Sequence, residues 1–157
     1  VSSAAADVYT SQILNITPDH LDRYASFEDY RDAKARILAR AGRAVLNADD
    51  PVTAALARYA PSTFFSLGAP PALAYGLATG AEGAALHGPM GALLPVAGLR
   101  LAGMHNVANA LAALAVCHAF GARGPALIEA LRDFGGLPHR AQRVAIIDGV
   151  DYIDDSK

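Results

Sequence analysis

The sequence predicts an α/β fold in which a central, mostly parallel sheet is flanked by helices and joined to a small antiparallel β meander. Three observations carry that prediction. Short β-branched and aromatic runs alternate with segments of helical period up to about residue 67, Gly and Pro punctuate 68–100 every few residues, and two alanine- and leucine-rich helical stretches follow. With 157 residues the chain is long enough for one self-sufficient core, or one domain plus the edge of another.

Val8 to Ile16 reads as a strand, and Thr17-Pro18-Asp19 after it reads as a helix start with Thr17 as cap and Pro18 at the first helical position. Ser26 with Asp29 three residues on opens a second helix, whose stripe Phe27, Tyr30, Lys34, Ile37, Ala41 runs until Gly42. A short strand at Ala44 to Asn47 follows. Asp50-Pro51 repeats the cap-then-proline signal for a helix to about Tyr59, and Ser62 to Leu67 returns as strand. The apolar runs around Ala72 to Leu77, Ala84 to Leu86 and Ala92 to Val96 suggest hairpins or a meander. Asn106 to Phe120 and Pro125 to Phe134 read as an αα pair covering a sheet. Gly135-Gly136-Leu137-Pro138 marks a domain boundary near Leu137, and Arg143 to Ile147 with Val150 to Ile153 around Asp148-Gly149 is a hairpin signal.

Composition removes several function classes. Thirteen Lys and Arg against fifteen Asp and Glu leave no basic surplus for a phosphate backbone, so nucleic acid is not an expected partner. Cys117 is the single cysteine, which excludes an intrachain disulfide framework and a thiolate-cluster zinc site and suits a reducing cytoplasm. The stretch 101–122 lacks Asp, Glu, Lys and Arg, but His105, Asn106, Asn109 and His118 interrupt it, so no membrane span is expected. Lys34 and Lys157 are the only lysines and neither follows Gly, so no Walker-type phosphate loop lies within the sequence; neither a Gly-x-Gly-x-x-Gly turn nor a Gly-x-Ser-x-Gly elbow occurs.

Five groups of residues could carry chemistry. Lys34 puts a charge on an apolar stripe: held inward, a neutral amine is a nucleophile or a carbon dioxide acceptor whose carbamate could ligate a metal, while a snorkelling Lys34 would meet Asp32 or water. Asp19-His20-Leu21-Asp22 follows a strand's carboxyl end, where α/β sheets place ligands, and suits a hard cation, acid–base work, or plain helix capping. His105, Asn106 and Asn109 cluster at a helix start, with carboxamides able to read a base edge and Asn106 alternatively an ordinary N-cap. Arg140 lies on a loop at the boundary, and Asp154, Asp155 and Lys157 close a strand-like run.

In order and spacing, Leu14-Asn15-Ile16-Thr17-Pro18-Asp19-His20-Leu21-Asp22-Arg23-Tyr24, Tyr30-Arg31-Asp32-Ala33-Lys34 and Leu46-Asn47-Ala48-Asp49-Asp50 resemble the central domain of the Mur ligases. Gly103-Met104-His105-Asn106-Val107-Ala108-Asn109-Ala110, Gly136-Leu137-Pro138-His139-Arg140 and Asp155-Ser156-Lys157 resemble the D-glutamate-adding branch, and the likeness covers nearly the whole chain. Asp154 stands where relatives often carry Asn. The resemblance implies a cytoplasmic, monomeric enzyme of peptidoglycan-precursor synthesis that uses ATP and magnesium to join D-glutamate to UDP-N-acetylmuramoyl-L-alanine through an acyl phosphate. It implies that Lys34 is the carbamylated lysine and His20 the metal-site histidine, both catalytic. Asn106 and Asn109 would lie by the adenine, Arg140 by the phosphates, Asp155 by the ribose and Lys157 by the reacting groups. Residues 1–137 would belong to the ATP-binding domain, with its phosphate loop and a metal-binding glutamate upstream, and 138–157 would begin the amino-acid-binding domain. On that reading the 157 residues alone have no turnover. The alternatives are a non-catalytic nucleotide- or partner-binding module, and another ATP-dependent amide ligase such as a folylpolyglutamate synthase.

Overall fold

The structure is a computed structural model that describes residues 9–19, 22–70, 74–138 and 142–154. Its centre is a three-stranded parallel sheet in the order β1 (Tyr9–Ile13), β2 (Ala41–Asn47), β3 (Ser62–Phe65). Parallel strands need helical crossovers. These are α1 (Phe27–Ala35), continued by a 3₁₀ turn at Arg36–Leu38, and α2 (Pro51–Ala54), continued by a 3₁₀ turn to Tyr59.

Both helix starts follow the caps read from the sequence. The Ser26 hydroxyl accepts from the Asp29 amide at 3.1 Å and donates to the Asp29 carboxylate at 2.8 Å, and Asp50 accepts from the Val52 amide with Pro51 at the first helical position. The start read at Thr17-Pro18 is not one. β1 ends at Ile13 rather than Ile16, and Leu14 to Asp19 form no helix. Here the Asp50 carboxylate accepts from the Ile16 amide at 3.0 Å, a contact across 34 residues that overrides the local proline signal. The stripe drawn to Gly42 is also corrected: α1 stops at Ala35, and Gly42 lies inside β2. Tightening to 3₁₀ geometry advances each residue by about 120° instead of 100°, so Leu38 turns into the core and Ile37 is left 55% exposed.

Central strand β2 separates two cores. Ala44 and Leu46 face α1 with Ile13, Tyr30, Leu38 and Leu56, while Val45 faces the opposite layer. That layer is α3 (Met104–Ala119), whose Val107, Ala110, Leu111, Leu114 and Ala115 are buried against the sheet; the alanines allow close approach. Leu127, Ile128 and Leu131 of α4 (Pro125–Asp133) pack on the same cluster.

Beyond β3, Tyr75 extends the sheet by one parallel bridge, donating its amide to the Phe64 carbonyl and accepting from the Ser66 amide. The chain then forms the expected meander β4 (Gly76–Gly80), β5 (Gly83–Gly88), β6 (Gly91–Pro95), which buries Leu86 and Leu94 on the α3 side. A Cβ on Gly76 would come within 2.6 Å of the Gly68 carbonyl, so this crossing requires glycine. The hairpin β7 (Gln142–Ile147) and β8 (Val150–Asp154) turns at Asp148 (φ 51°) and Gly149 (φ 78°), the left-handed pair of a type I′ turn.

Candidate functional site

Two consecutive acids fasten the loops that leave the parallel strands at their carboxyl ends. Asp50 caps α2 and accepts from Thr53 Oγ1 at 2.5 Å and Ile16 N at 3.0 Å; Asp49 accepts from Ser66 Oγ at 2.5 Å and Leu67 N at 2.6 Å. The exits of β1 and β3 are thus tied to the exit of β2. Partial burial pushes the Asp50 carboxyl up, but hydrogen bonds from the Thr53 hydroxyl and from the Ile16, Val52 and Thr53 amides outweigh it and hold the group below the usual carboxylate value.

Beside the β1 exit lies a cleft of about 520 Å³, lined by residues 12–17, Asp19, Tyr30, Ala33 and Lys34. Ligands of α/β sheets bind at strand carboxyl ends. Lys34 reaches this cleft, but not as expected: it is exposed rather than held inward, with Nζ 5.3 Å from the Tyr30 ring centroid in a cation–π arrangement. The buried partners of α1 are Tyr30 and Ala35. Nor is Asp32 the lysine's counterion, since its carboxylate accepts from Arg31 Nε at 2.8 Å. Asp19 lines the same cleft, while Asp22 is an exposed residue 3.9 Å from Arg23. His20 lies outside the described residues. Among the described residues no group of three His, Cys, Asp or Glu side chains could hold a metal. Asp19 is the one carboxylate among the described residues that line the cleft.

A separate slot of about 120 Å³ lies between α3 and α4, walled by Leu101, Leu131 and Phe134 with Asn106 and Asn109 on one side. Apolar walls with a few carboxamides suit a flat heteroaromatic base. Asn106 is not the N-cap: α3 begins at Met104 after Gly103, and Asn106 donates from Nδ2 to the Ala102 carbonyl at 2.8 Å. Gly103 has φ 99°, and a Cβ there would sit 2.7 Å from the His105 ring. Arg140, Asp155 and Lys157 lie outside the described residues.

A model of the Mur ligase middle domain matches residues 2–117. The chain belongs to that family. A UDP-N-acetylmuramoylalanine--D-glutamate ligase of Methylobacillus flagellatus is 50% identical over 157 residues, covering 99% of this chain and 34% of the relative. A protein of the same name from Methylococcus capsulatus is 46% identical, covering 97% and 33%. The chain therefore spans about a third of the length of these curated relatives. The solved UDP-N-acetylmuramate-alanine ligase of Thermotoga maritima superposes with TM-score 0.72 at 26% identity, over 94% of this chain and 34% of the other. A second solved Mur ligase, from Acinetobacter baumannii, superposes with TM-score 0.70 at 22% identity over 94% and 33%, a likeness of fold alone. The expected α/β architecture with parallel sheet and small meander is that of Mur ligase domains.

The structure brings Lys34 and Asp19 into one cleft and Asn106 and Asn109 into one slot. The fastening role of Asp49 and the Asp50–Ile16 contact were missed from sequence. The doublet Asp49-Asp50 after a strand was the available signal, and only its capping half was read from it.

Proposed function

We propose that the chain is part of a cytoplasmic, ATP-dependent ligase that joins D-glutamate to UDP-N-acetylmuramoyl-L-alanine in peptidoglycan-precursor synthesis. The observation that carries this reading is 50% identity along 99% of the chain to a relative named for that reaction. Residues 1–137 would belong to the nucleotide-binding domain and 138–157 to the start of the amino-acid-binding domain.

The slot between α3 and α4 supports a place for adenine against Leu131 and Phe134, with Asn106 and Asn109 toward the base edge. Asp155 would meet the ribose, Arg140 the phosphates and Lys157 the reacting groups. In the cleft, Lys34 as its carbamate, with His20, would hold magnesium, which supplies charge neutralisation to the phosphates. Asp50 is a positioning residue, because it holds Ile16, which lines the cleft.

Chemically, a substrate carboxylate oxygen bonds to the γ-phosphorus and ADP departs. The amine of D-glutamate then bonds to the acyl carbon, and phosphate leaves with the former carboxylate oxygen. Cations near the phosphates offset the charge in both steps. The test is amino-acid competition with the complete protein. ADP release should need UDP-N-acetylmuramoyl-L-alanine and D-glutamate together, and L-alanine, diaminopimelate or a folate substrate should not replace them. Turnover with a folate and L-glutamate instead would reassign the protein.

A further inference from the structure

A third cavity, of about 320 Å³, opens at the amino ends of β2 and β3, on the sheet edge opposite the cleft of Lys34. Tyr75, only 4% exposed, lines it and places its hydroxyl 2.6 Å from His118 Nδ1, with ring centroids 5.4 Å apart. Arg43 enters from β2 and Arg123 from the loop after α3; no Asp or Glu is among the described residues that line the cavity. We infer that this cavity is a binding site for a phosphate-class oxyanion, gripped by the Arg43 and Arg123 guanidiniums above the Tyr75–His118 pair.

Three features carry the inference. First, two cations converge without an acid, in a chain whose formal net charge is −2. Like charges brought together are repulsive unless an anion joins them. Second, most of their donors are uncommitted. Arg123 uses one terminal nitrogen to cap α3, donating to the His118 carbonyl at 2.6 Å and the Ala122 carbonyl at 2.9 Å, which leaves its other face. The Arg43 side chain has no hydrogen bond or ion pair among the described residues. Third, the Tyr–His pair has a donor to spare in either arrangement. If the phenol donates to Nδ1, the imidazole keeps an Nε2 proton; if Nδ1 donates, the phenol proton is spare. A tetrahedral oxyanion met by forked guanidiniums and a third donor uses this set.

The electrostatics agree with the geometry. Burial raises the Tyr75 hydroxyl, and Arg123 and Arg43 both pull it back, so both guanidiniums act on the cavity floor. Burial lowers His118, and Arg123 lowers it further, so both favour the neutral imidazole. Among the described residues Tyr75 and Arg123 face His118, and Arg43 lines the same cavity and acts on Tyr75.

This site is independent of the ligase reading, and its test reads His118 rather than turnover. The intact protein, labelled with [¹⁵N]histidine, is titrated with inorganic phosphate, with glycerol 3-phosphate, and with sodium chloride at matched ionic strength. His118 ring signals should shift saturably with at least one phosphate probe but not with chloride, and the His118 titration midpoint should rise at saturation. Arg43→Gln should weaken binding about tenfold or more, and Arg43→Lys, keeping charge without the fork, should weaken it less. Tighter binding of glycerol 3-phosphate would assign a phosphomonoester, and tighter binding of the free anion inorganic phosphate. Silence at His118, an equal response to chloride, or unchanged affinity in both folded variants would overturn the inference.

Discussion

Asp50 shows how one side chain links local and distant structure. It caps a helix two residues on and fixes a strand exit 34 residues back. Replacing it with Ala removes the acceptor of the hydrogen bonds from the Ile16 and Val52 amides and from the hydroxyl of buried Thr53, and should cost about 2–3 kcal/mol in denaturant unfolding. Its pH dependence has a defined sign. The folded-state carboxyl is held low, so its stabilisation is complete above about pH 4 and is lost as pH falls through the folded value. Acid titration should show the gap between parent and Asp50→Asn closing below that pH. Lys34 behaves oppositely, because it is exposed over Tyr30. Lys34→Ala should leave stability within about 0.5 kcal/mol of the parent while reducing ligase turnover in the complete protein by about 100-fold or more. Equal losses of stability and turnover would show a structural lysine instead.

Among elements, α3 connects packing to the slot proposed for a nucleotide. It buries one face against the sheet and carries Asn106 and Asn109 one turn apart at its start. Gly103 sets that start with a φ of 99°, a backbone conformation that L side chains rarely adopt. Gly103→Ala should cost about 1–3 kcal/mol and weaken nucleotide binding measured by calorimetry, with less effect on substrates that do not touch the slot. Much of the element order was legible because its signals are local: Ser26 with Asp29, Asp50 before Pro51, and Asp148-Gly149 between apolar strands. What was not legible came from distance. The same cap-and-proline pattern at Thr17-Pro18 yields no helix, since a carboxylate from another loop claims Ile16. The 3₁₀ turn that exposes Ile37 and buries Leu38 is likewise set by packing on β2 rather than by the spacing of apolar residues. The inward lysine depended on that uninterrupted spacing and was lost with it. Asn106 and Asn109, by contrast, are neighbours by helical period alone, so the sequence sufficed to pair them.

For the whole molecule, the sheet separates its two edges by chemistry. The carboxyl edge bears the loops fastened by Asp49 and Asp50 and the cleft with Lys34; the amino edge bears Arg43, Arg123 and the Tyr75–His118 pair. At the far end of the chain, the hairpin of β7 and β8 exposes apolar side chains on both faces, Val144 at 58% and Ile153 at 60% among them. A lone two-stranded hairpin is marginal in water, which is consistent with the proposal that residues 138–157 begin another domain. In the complete protein, amide exchange of this hairpin should be slowed well beyond that in the isolated 157 residues; equal exchange would count against a domain built on it.

The central claim concerns an oxygen atom. With the complete protein, ATP, D-glutamate and UDP-N-acetylmuramoyl-L-alanine labelled with ¹⁸O in its alanyl carboxylate, the released phosphate is analysed by mass spectrometry. Formation and collapse of an acyl phosphate predict one ¹⁸O per phosphate formed. Amide product accompanied by unlabelled phosphate would contradict it.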